Sequence, residues 1–190
     1  MFKKMCYRQK GFGLIELMVT IAIVGIIMSL ALPSLSATYV QSRINSNIFN
    51  LSKDLVYARS MAVSNQLPVV ICNLGTTTCN EDGWANGYTI FLDINGNGQF
   101  DSANDTKLRV NADFDYGTLS ISNGADELIY SANGRASATV TFTFCPFVET
   151  NFARGVVINA MGRSKLTQDY DGDGLDETSP SDNNSHLTCS

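Results

Sequence analysis

The sequence predicts an α+β fold, in which one long N-terminal helix precedes a β-rich region. Two observations predict this order. Apolar residues at helical spacing run through the first third of the chain, and short runs of Val, Ile, Thr, Phe and Tyr separated by Gly, Asn and Asp follow them. With 190 residues, the chain has room for one compact domain and an extension.

The N-terminus begins with a basic stretch and continues as an apolar run. Residues 17–32 carry no charge, but this run is shorter than the roughly 20 residues that cross a bilayer untilted. Extending the run back to Phe12 gives a full span that includes the carboxylate of Glu16. An ordinary secretory signal would end in a small-residue cleavage site, and no such site precedes Pro33.

Beyond Pro33, a second helical stretch is amphipathic. Its apolar stripe is Ile44, Ile48, Leu51, Leu55, Ala58 and Ala62, with polar residues between the members. The pattern predicts a helix that packs one face on a domain and ends near Asn65, before Pro68.

The β-rich region contains seven runs typical of strands. They are PVVICN, GYTIFLD, KLRV, TLSI, LIYS, ATVTFTFC and GVVINA. Alternation is clearest near residue 140 and predicts that Val140, Phe142 and Phe144 share one face.

The motif KGFGLIEL, residues 10–17, resembles the class III signal of type IV pilins and type II secretion pseudopilins. The resemblance implies a type IV pilin-like fold, cleavage after Gly11 by a prepilin peptidase, and methylation of Phe12 as the mature N-terminus. It divides the chain into a leader (1–11), a transmembrane or filament-core helix (12–34), an amphipathic helix (35–66) and a β-rich periplasmic head (67–190).

The lone acid Glu16 needs a physical reason, because a carboxylate in apolar surroundings is tolerated only when it is paired. In a filament of parallel helices, the nearest candidate cation is the free amine at Phe12 of a neighbouring subunit. We therefore predict that Glu16 forms an assembly salt bridge that sets the axial register. The alternative is an acid placed by chance beside an ordinary membrane anchor.

Three further segments resemble the pseudopilin H and FimT-like minor pilin family. They are DLVYARSMAVSNQLPVVIC, GWANGYTIFLDINGNGQFD and GVVINAMGRSKL. Trp84, in the second segment, is predicted to anchor a loop on the sheet, because its ring has a large area to bury and one N–H to satisfy. The resemblance implies a low-copy structural subunit.

Four cysteines remain after loss of the leader, and an even number suits two disulfides in an oxidising compartment. Cys72 and Cys79 enclose a short polar loop that a bridge could close. Cys145 and Cys189 would then tie the tail to the sheet. Metal binding and free thiols are the alternatives. A zinc site would need more ligands than these cysteines supply, and the only histidine, His186, lies in a polar tail.

Two loops have oxygen donors at the alternating spacing that calcium requires around a glycine turn. The first, DINGNGQFD, places Asp93, Asn95, Asn97 and Asp101 around Gly98 and is interpreted as a plain turn. The second, DYDGDGLDE, predicts a calcium site formed by Asp169, Asp171, Asp173, Asp176 and Glu177. Neither loop has the bidentate Glu at its twelfth position, so binding is expected to be weak. A solvated acidic loop without a cation is the alternative.

The sequence GRSK, residues 162–165, is the one pointer to DNA. It resembles the G-R-x-R motif of FimT-like pilins that take up DNA, with Lys165 in place of the second arginine beside Arg163. Lysine keeps the charge but loses the planar fork of arginine. The acidic loop that follows would repel a polyanion, so an exposed strand end is the preferred interpretation.

No enzyme is predicted, because the sequence has no phosphate-binding glycine loop, no G-x-S-x-G and a single histidine. Loss of the basic residues before Gly11 would lower the net charge from −5 to −9, and a strongly acidic mature domain argues against general nucleic-acid binding. We interpret the chain as a minor pilin held in the inner membrane by one helix, with its head in the periplasm before assembly. Its expected partners are other pilins or pseudopilins, the prepilin peptidase and the inner-membrane assembly platform, in a type IV pilus or alternatively a type II secretion system. No cofactor is expected apart from the calcium ion considered above.

Overall fold

The computed structural model describes residues 11, 13–79, 83–111, 114, 116–147, 152–181 and 185–189, with backbone only for residues 30–37. The chain divides into two compact units, Met1–Tyr39 and Val40–Ser190. Helix α1 (Leu14–Asn65) supplies most of the described part of the first unit and the beginning of the second.

The first half of α1 is apolar, and its side chains are exposed in the single chain. Leu14 and Ile15 are 78% and 72% exposed, and the large apolar residues from Leu17 to Met28 are at least half exposed. The helical backbone continues through Pro33. Within the described residues, no helix satisfies both the length and the hydrophobicity needed to cross a membrane.

The second half of α1 buries one stripe, as the periodicity predicts. All six members, Ile44, Ile48, Leu51, Leu55, Ala58 and Ala62, are at most 5% exposed. The helix ends at Asn65, and the next residue, Gln66, has φ 56°, the left-handed conformation that often follows a helix C-terminus. Pro68 then starts an extended segment, because proline disfavours helical geometry in the residue before it.

Eight strands follow and form two antiparallel sheets. The first sheet has the order β3-β2-β1-β5, with strands β1 (Val69–Cys72), β2 (Tyr88–Leu92), β3 (Thr106–Asn111) and β5 (Glu127–Tyr130). The second has the order β4-β6-β7-β8, with strands β4 (Gly117–Ile121), β6 (Val140–Pro146), β7 (Arg154–Ile158) and β8 (Ser164–Leu166). All seven predicted runs are strands, and the α+β fold is confirmed.

The main core lies where both sheets meet the apolar stripe of α1. Val140, Phe142 and Phe144 are at most 2% exposed and belong to this core, which confirms that they share the buried face of β6. Trp84 is 5% exposed, donates its Nε1–H to the Ala125 carbonyl at 2.8 Å and packs edge-on against Phe142. The predicted anchor between loop and sheet is therefore present.

A smaller core covers the opposite face of the first sheet. It contains Val70, Cys72, Phe91 and Phe100, so β1 is buried on both faces. The Cys72–Cys79 disulfide closes the loop beside this core, and the Cys145–Cys189 disulfide joins β6 to the C-terminal tail. Both bridges that the sequence suggested are thus formed.

A buried polar cluster connects α1 to the first sheet. Asp54 on the helix accepts a hydrogen bond from the Tyr88 hydroxyl at 2.9 Å and forms an ion pair with Arg109 on β3. The Arg109 guanidinium also lies 4.4 Å from the centre of the Tyr57 ring. Burial raises the pKa of the Tyr88 hydroxyl far above its ordinary value, so this group remains a hydrogen-bond donor at physiological pH.

Candidate functional site

The predicted processing region lies at the start of α1. Gly11 is exposed, whereas Phe12 lies outside the described residues. The first helical turn forms where the amides of Glu16 and Leu17 donate to the Gly13 carbonyl. Glu16 is the acidic residue of that turn and is exposed among apolar side chains. An exposed acid in this position is available to a partner outside the chain.

The acidic loop at residues 169–177 is organised mainly by its own backbone amides. The two oxygens of Asp169 accept hydrogen bonds from Gly172 N at 2.6 Å and Gly174 N at 2.9 Å. Positive φ angles at both glycines allow the chain to turn around that carboxylate. Asp169 thus shapes the loop, and it is not among the carboxylates that converge on one point.

Asp176 also points away from the predicted calcium site. One of its oxygens lies 3.1 Å from an Arg154 nitrogen, and the other accepts the Thr167 hydroxyl at 2.7 Å. Its side chain is only 4% exposed. Asp176 therefore holds the loop against β7, and the prediction that it shares a cation with the other acids does not match the geometry.

Three of the five predicted ligands do converge, together with a residue that the sequence argument set aside. The donor atoms of Asp171, Asp173, Glu177 and His186 all lie within 4.8 Å of one another. His186 Nε2 is 3.4 Å from Asp173 Oδ2 and 3.3 Å from Glu177 Oε1. Among the described residues, this is the one place where at least three His, Cys, Asp or Glu donors meet.

Backbone pairing explains how His186 reaches the loop. Glu177 is bridged to Gln168 on one side and to His186 on the other. Hydrogen bonds from Thr178 N to Ser185 O and from Leu187 N to Asp176 O fix that second register. Sequence reasoning missed this contact, because it depends on the tail folding back over nine residues. The only available signal was that the single histidine follows an acidic loop.

The loop at residues 93–101 has the geometry of the plain turn that its Asn-Gly pattern predicts. Asp93 is 1% exposed and accepts hydrogen bonds from the amides of Gly96, Asn97 and Gly98 at 2.8–3.2 Å. The side-chain oxygens of Asn95, Asn97 and Asp101 likewise accept backbone amides. These oxygens therefore already have donors within the turn.

The GRSK segment forms the turn into β8, and both basic side chains, Arg163 and Lys165, are exposed. The Lys165 ammonium lies 5.0 Å from the centre of the Tyr170 ring, beside the acidic loop. Gly162 has φ 73°, and a Cβ there would collide with the Gly134 carbonyl oxygen, so the glycine is explained by packing. DNA binding remains a prediction that no described contact supports.

A surface cavity of about 600 Å³ lies beside this segment and is lined by Arg163, Gly162 and one side of α1. Arg59 from the helix donates to the carbonyl oxygens of Gly134 and Met161. The guanidinium therefore holds two loops in place. These two hydrogen bonds give Arg59 a structural role.

The fold and the N-terminal region define a class of protein: a pilin-type subunit, with an exposed apolar helix joined to a head of antiparallel sheets. A sequence profile described as "Type II transport protein GspH" matches residues 50–162, and one described as "Prokaryotic N-terminal methylation motif" matches residues 6–32. The chain belongs to the GspH family of minor pilins and pseudopilins. The methylation motif implies processing by a prepilin peptidase.

Solved structures agree on the fold. Two crystal forms of the type IV minor pilin FimU of Pseudomonas aeruginosa superpose with TM-scores of 0.55 and 0.54, at 23% and 25% identity. The first match covers 76% of this chain and 97% of FimU, and the second covers 72% and 98%. The type IV pilin-like fold is thereby confirmed.

A curated relative is similar over a shorter segment. The fimbrial protein EcpB of Eikenella corrodens is 38% identical over 64 residues, which are 34% of this chain and 40% of EcpB. The chain thus spans less than half the length of that relative. The families and folds matched here are those of structural subunits.

Proposed function

We propose that this chain is a structural subunit of a type IV pilus and that it acts in the complex that initiates the pilus or forms its tip. The observation that carries the proposal is the first half of α1, where apolar side chains from Leu14 to Met28 are exposed around the single acid Glu16. A surface of this kind must be covered by lipid or by other helices. Membrane insertion followed by helix packing in a filament provides both.

Localisation forms part of the same proposal. The helix holds the chain in the inner membrane, and the head lies in the periplasm before assembly. Two disulfides in the head support this placement, because such bridges persist in oxidising compartments. The partners are other pilins, the prepilin peptidase and the inner-membrane assembly platform.

Glu16 is the residue that makes assembly specific in this proposal. In the filament, its carboxylate pairs with the methylated amine of Phe12 on a neighbouring subunit. An ion pair in apolar surroundings is strongly favoured over an isolated charge, so each subunit enters the filament in one axial register.

The test is replacement of Glu16 by alanine in the native host. We expect Glu16→Ala to reach the inner membrane in normal amounts but to be absent from sheared filaments, measured by immunoblotting of both fractions. Thr20→Ala, one turn further along the exposed face, is the matched control and should assemble normally. Assembly of Glu16→Ala at the normal level would contradict the proposal.

A type II secretion pseudopilus is the second candidate, and the GspH family match favours it. The two functions predict different losses when the gene is deleted. Deletion of a pilus subunit reduces the number of surface filaments and leaves the proteins in the medium unchanged. Deletion of a secretion pseudopilin retains exoproteins in the periplasm and leaves surface filaments intact.

A further inference from the structure

We propose that Asp171, Asp173, Glu177 and His186 form a binding site for a divalent transition-metal ion of the zinc class, which fixes the C-terminal tail to the acidic loop. The site differs from the calcium site predicted from the sequence in two ways. It includes an imidazole nitrogen, and it excludes Asp169 and Asp176, whose oxygens are engaged elsewhere.

The buried carboxylate of Glu177 is the observation that points to a ligand. Glu177 is 0% exposed, and its Oε1 atom has no hydrogen-bond partner. His186 Nε2, only 3.3 Å away, is also buried without a hydrogen-bond partner. A buried polar oxygen without a hydrogen-bond partner is costly, and a cation shared with the imidazole nitrogen would satisfy both atoms.

The separations between donor atoms fit a small ion. Ligands bound to zinc at ~2.0–2.1 Å in a tetrahedron lie about 3.4 Å from each other. The two distances from His186 Nε2, 3.4 Å to Asp173 and 3.3 Å to Glu177, match this edge length. The other separations do not exceed 4.8 Å, and the exposed side chains of Asp171 and Asp173 are able to adjust them.

Backbone amides already orient the three carboxylates. Each one uses one oxygen to accept an amide hydrogen: Asp171 from Asp173 N at 3.1 Å, Asp173 from Leu175 N at 2.8 Å, and Glu177 from Tyr170 N at 2.7 Å. The second oxygens of Asp173 and Glu177 are the atoms that face His186. Such support of ligands by surrounding hydrogen bonds is characteristic of metal sites.

The donor set selects the class of ion. Calcium and magnesium take oxygen ligands, whereas imidazole suits zinc and the later first-row ions. Four protein ligands leave no open position, which is the arrangement of a structural zinc site. The ion would then hold the tail three residues before Cys189, so a metal and a disulfide would secure the same segment.

The test measures metal binding by the full chain in detergent, prepared without a histidine tag and stripped of metal with a chelator. Titration calorimetry should show one zinc ion per chain, and thermal melting should move upward with added zinc. His186→Ala should weaken zinc binding by at least ~10–100-fold, on the scale of losses seen when metal-site residues are changed. Calcium added at about tenfold excess over zinc should not displace the bound zinc.

Controls separate the metal site from folding and from general charge. Glu177→Gln keeps the shape of the buried side chain and should also lose zinc, and circular dichroism confirms that each variant is folded. Asp101→Asn removes one charge from the other loop and should bind zinc normally. The proposal is overturned by absence of zinc binding, by calcium binding as tightly as zinc, or by unchanged affinity in His186→Ala.

Discussion

The carboxylate of Asp54 connects α1 to β2 and β3, because it accepts a hydrogen bond from the Tyr88 hydroxyl and forms an ion pair with Arg109. The Asp54 side chain is only 11% exposed. Sequence periodicity could not predict this contact. Asp54 lies between members of the apolar stripe, a position that predicts a solvent-facing acid. Its partners Tyr88 and Arg109 are 34 and 55 residues further along the chain. Only the tertiary arrangement of α1 over β2 and β3 brings the three side chains together.

Removal of this carboxylate should destabilise the head. Asp54→Ala leaves the Tyr88 hydroxyl buried without its acceptor, at a cost of about 1–3 kcal/mol in the free energy of unfolding. Loss of the ion pair adds little to this cost, because the Arg109 side chain is half exposed to water. Urea denaturation measures the change, and exposed Ser60→Ala on the same helix should stay within ~0.5 kcal/mol of wild type. Equal stability of Asp54→Ala and Ser60→Ala would refute the role of the cluster.

Glu127, at the start of β5, gives a dependence of stability on pH. Burial, followed by the charges of Asp126 and Asp93, raises the pKa of this carboxyl above its ordinary value. The folded state therefore binds the proton more tightly than the unfolded state. Above the pKa of the folded state, the ionised carboxylate of Glu127 lowers the free energy of unfolding. This destabilisation is lost as the pH falls through that pKa. We expect Glu127→Gln to raise the melting temperature near neutral pH.

The same substitution should have little effect at about pH 3, where Glu is protonated in the folded and unfolded states alike. Thermal melting followed by circular dichroism at the two pH values provides the comparison. A decrease in melting temperature at neutral pH, or an equal increase at both pH values, would show that the charge of Glu127 is not the cause.

At the scale of elements, helix α1 and the strands were predictable because their signals are local. The stripe from Ile44 to Ala62 repeats with the helical period, and the alternation from Val140 to Phe144 repeats with the period of a strand. The short strand β8 has only three residues and no such pattern of its own. It is held by pairing with β7. His186 likewise reaches Glu177 through an isolated bridge between two segments, which no local pattern predicts.

The packing of α1 on the sheets should dominate the stability of the head. Leu55 is 0% exposed at the centre of the stripe, so Leu55→Ala is expected to cost ~2–5 kcal/mol in the free energy of unfolding. Its neighbour Val56 is 56% exposed, and Val56→Ala should change the same quantity by no more than ~0.5 kcal/mol. Similar losses for both variants in urea denaturation would mean that the helix does not pack by this face.

At the scale of the whole molecule, the two compact units differ in whether their apolar side chains are buried. The unit Val40–Ser190 buries its apolar side chains in its own cores and closes two disulfides. The apolar side chains of α1 before residue 30 are exposed in the single chain. The proposed function assigns the covering of this exposed surface to lipid and to other subunits, and membership of the GspH family supports that proposal.

In the proposed function, assembly depends on processing at the N-terminus, because the amine that would pair with the Glu16 carboxylate exists only after the leader has been removed. Intact-mass and fragment-ion spectrometry of the protein isolated from native cells tests this directly. We expect a chain that lacks residues 1–11 and begins with N-methylated Phe12. A chain that retains its leader, or one whose first residue is other than methylated Phe12, would contradict it.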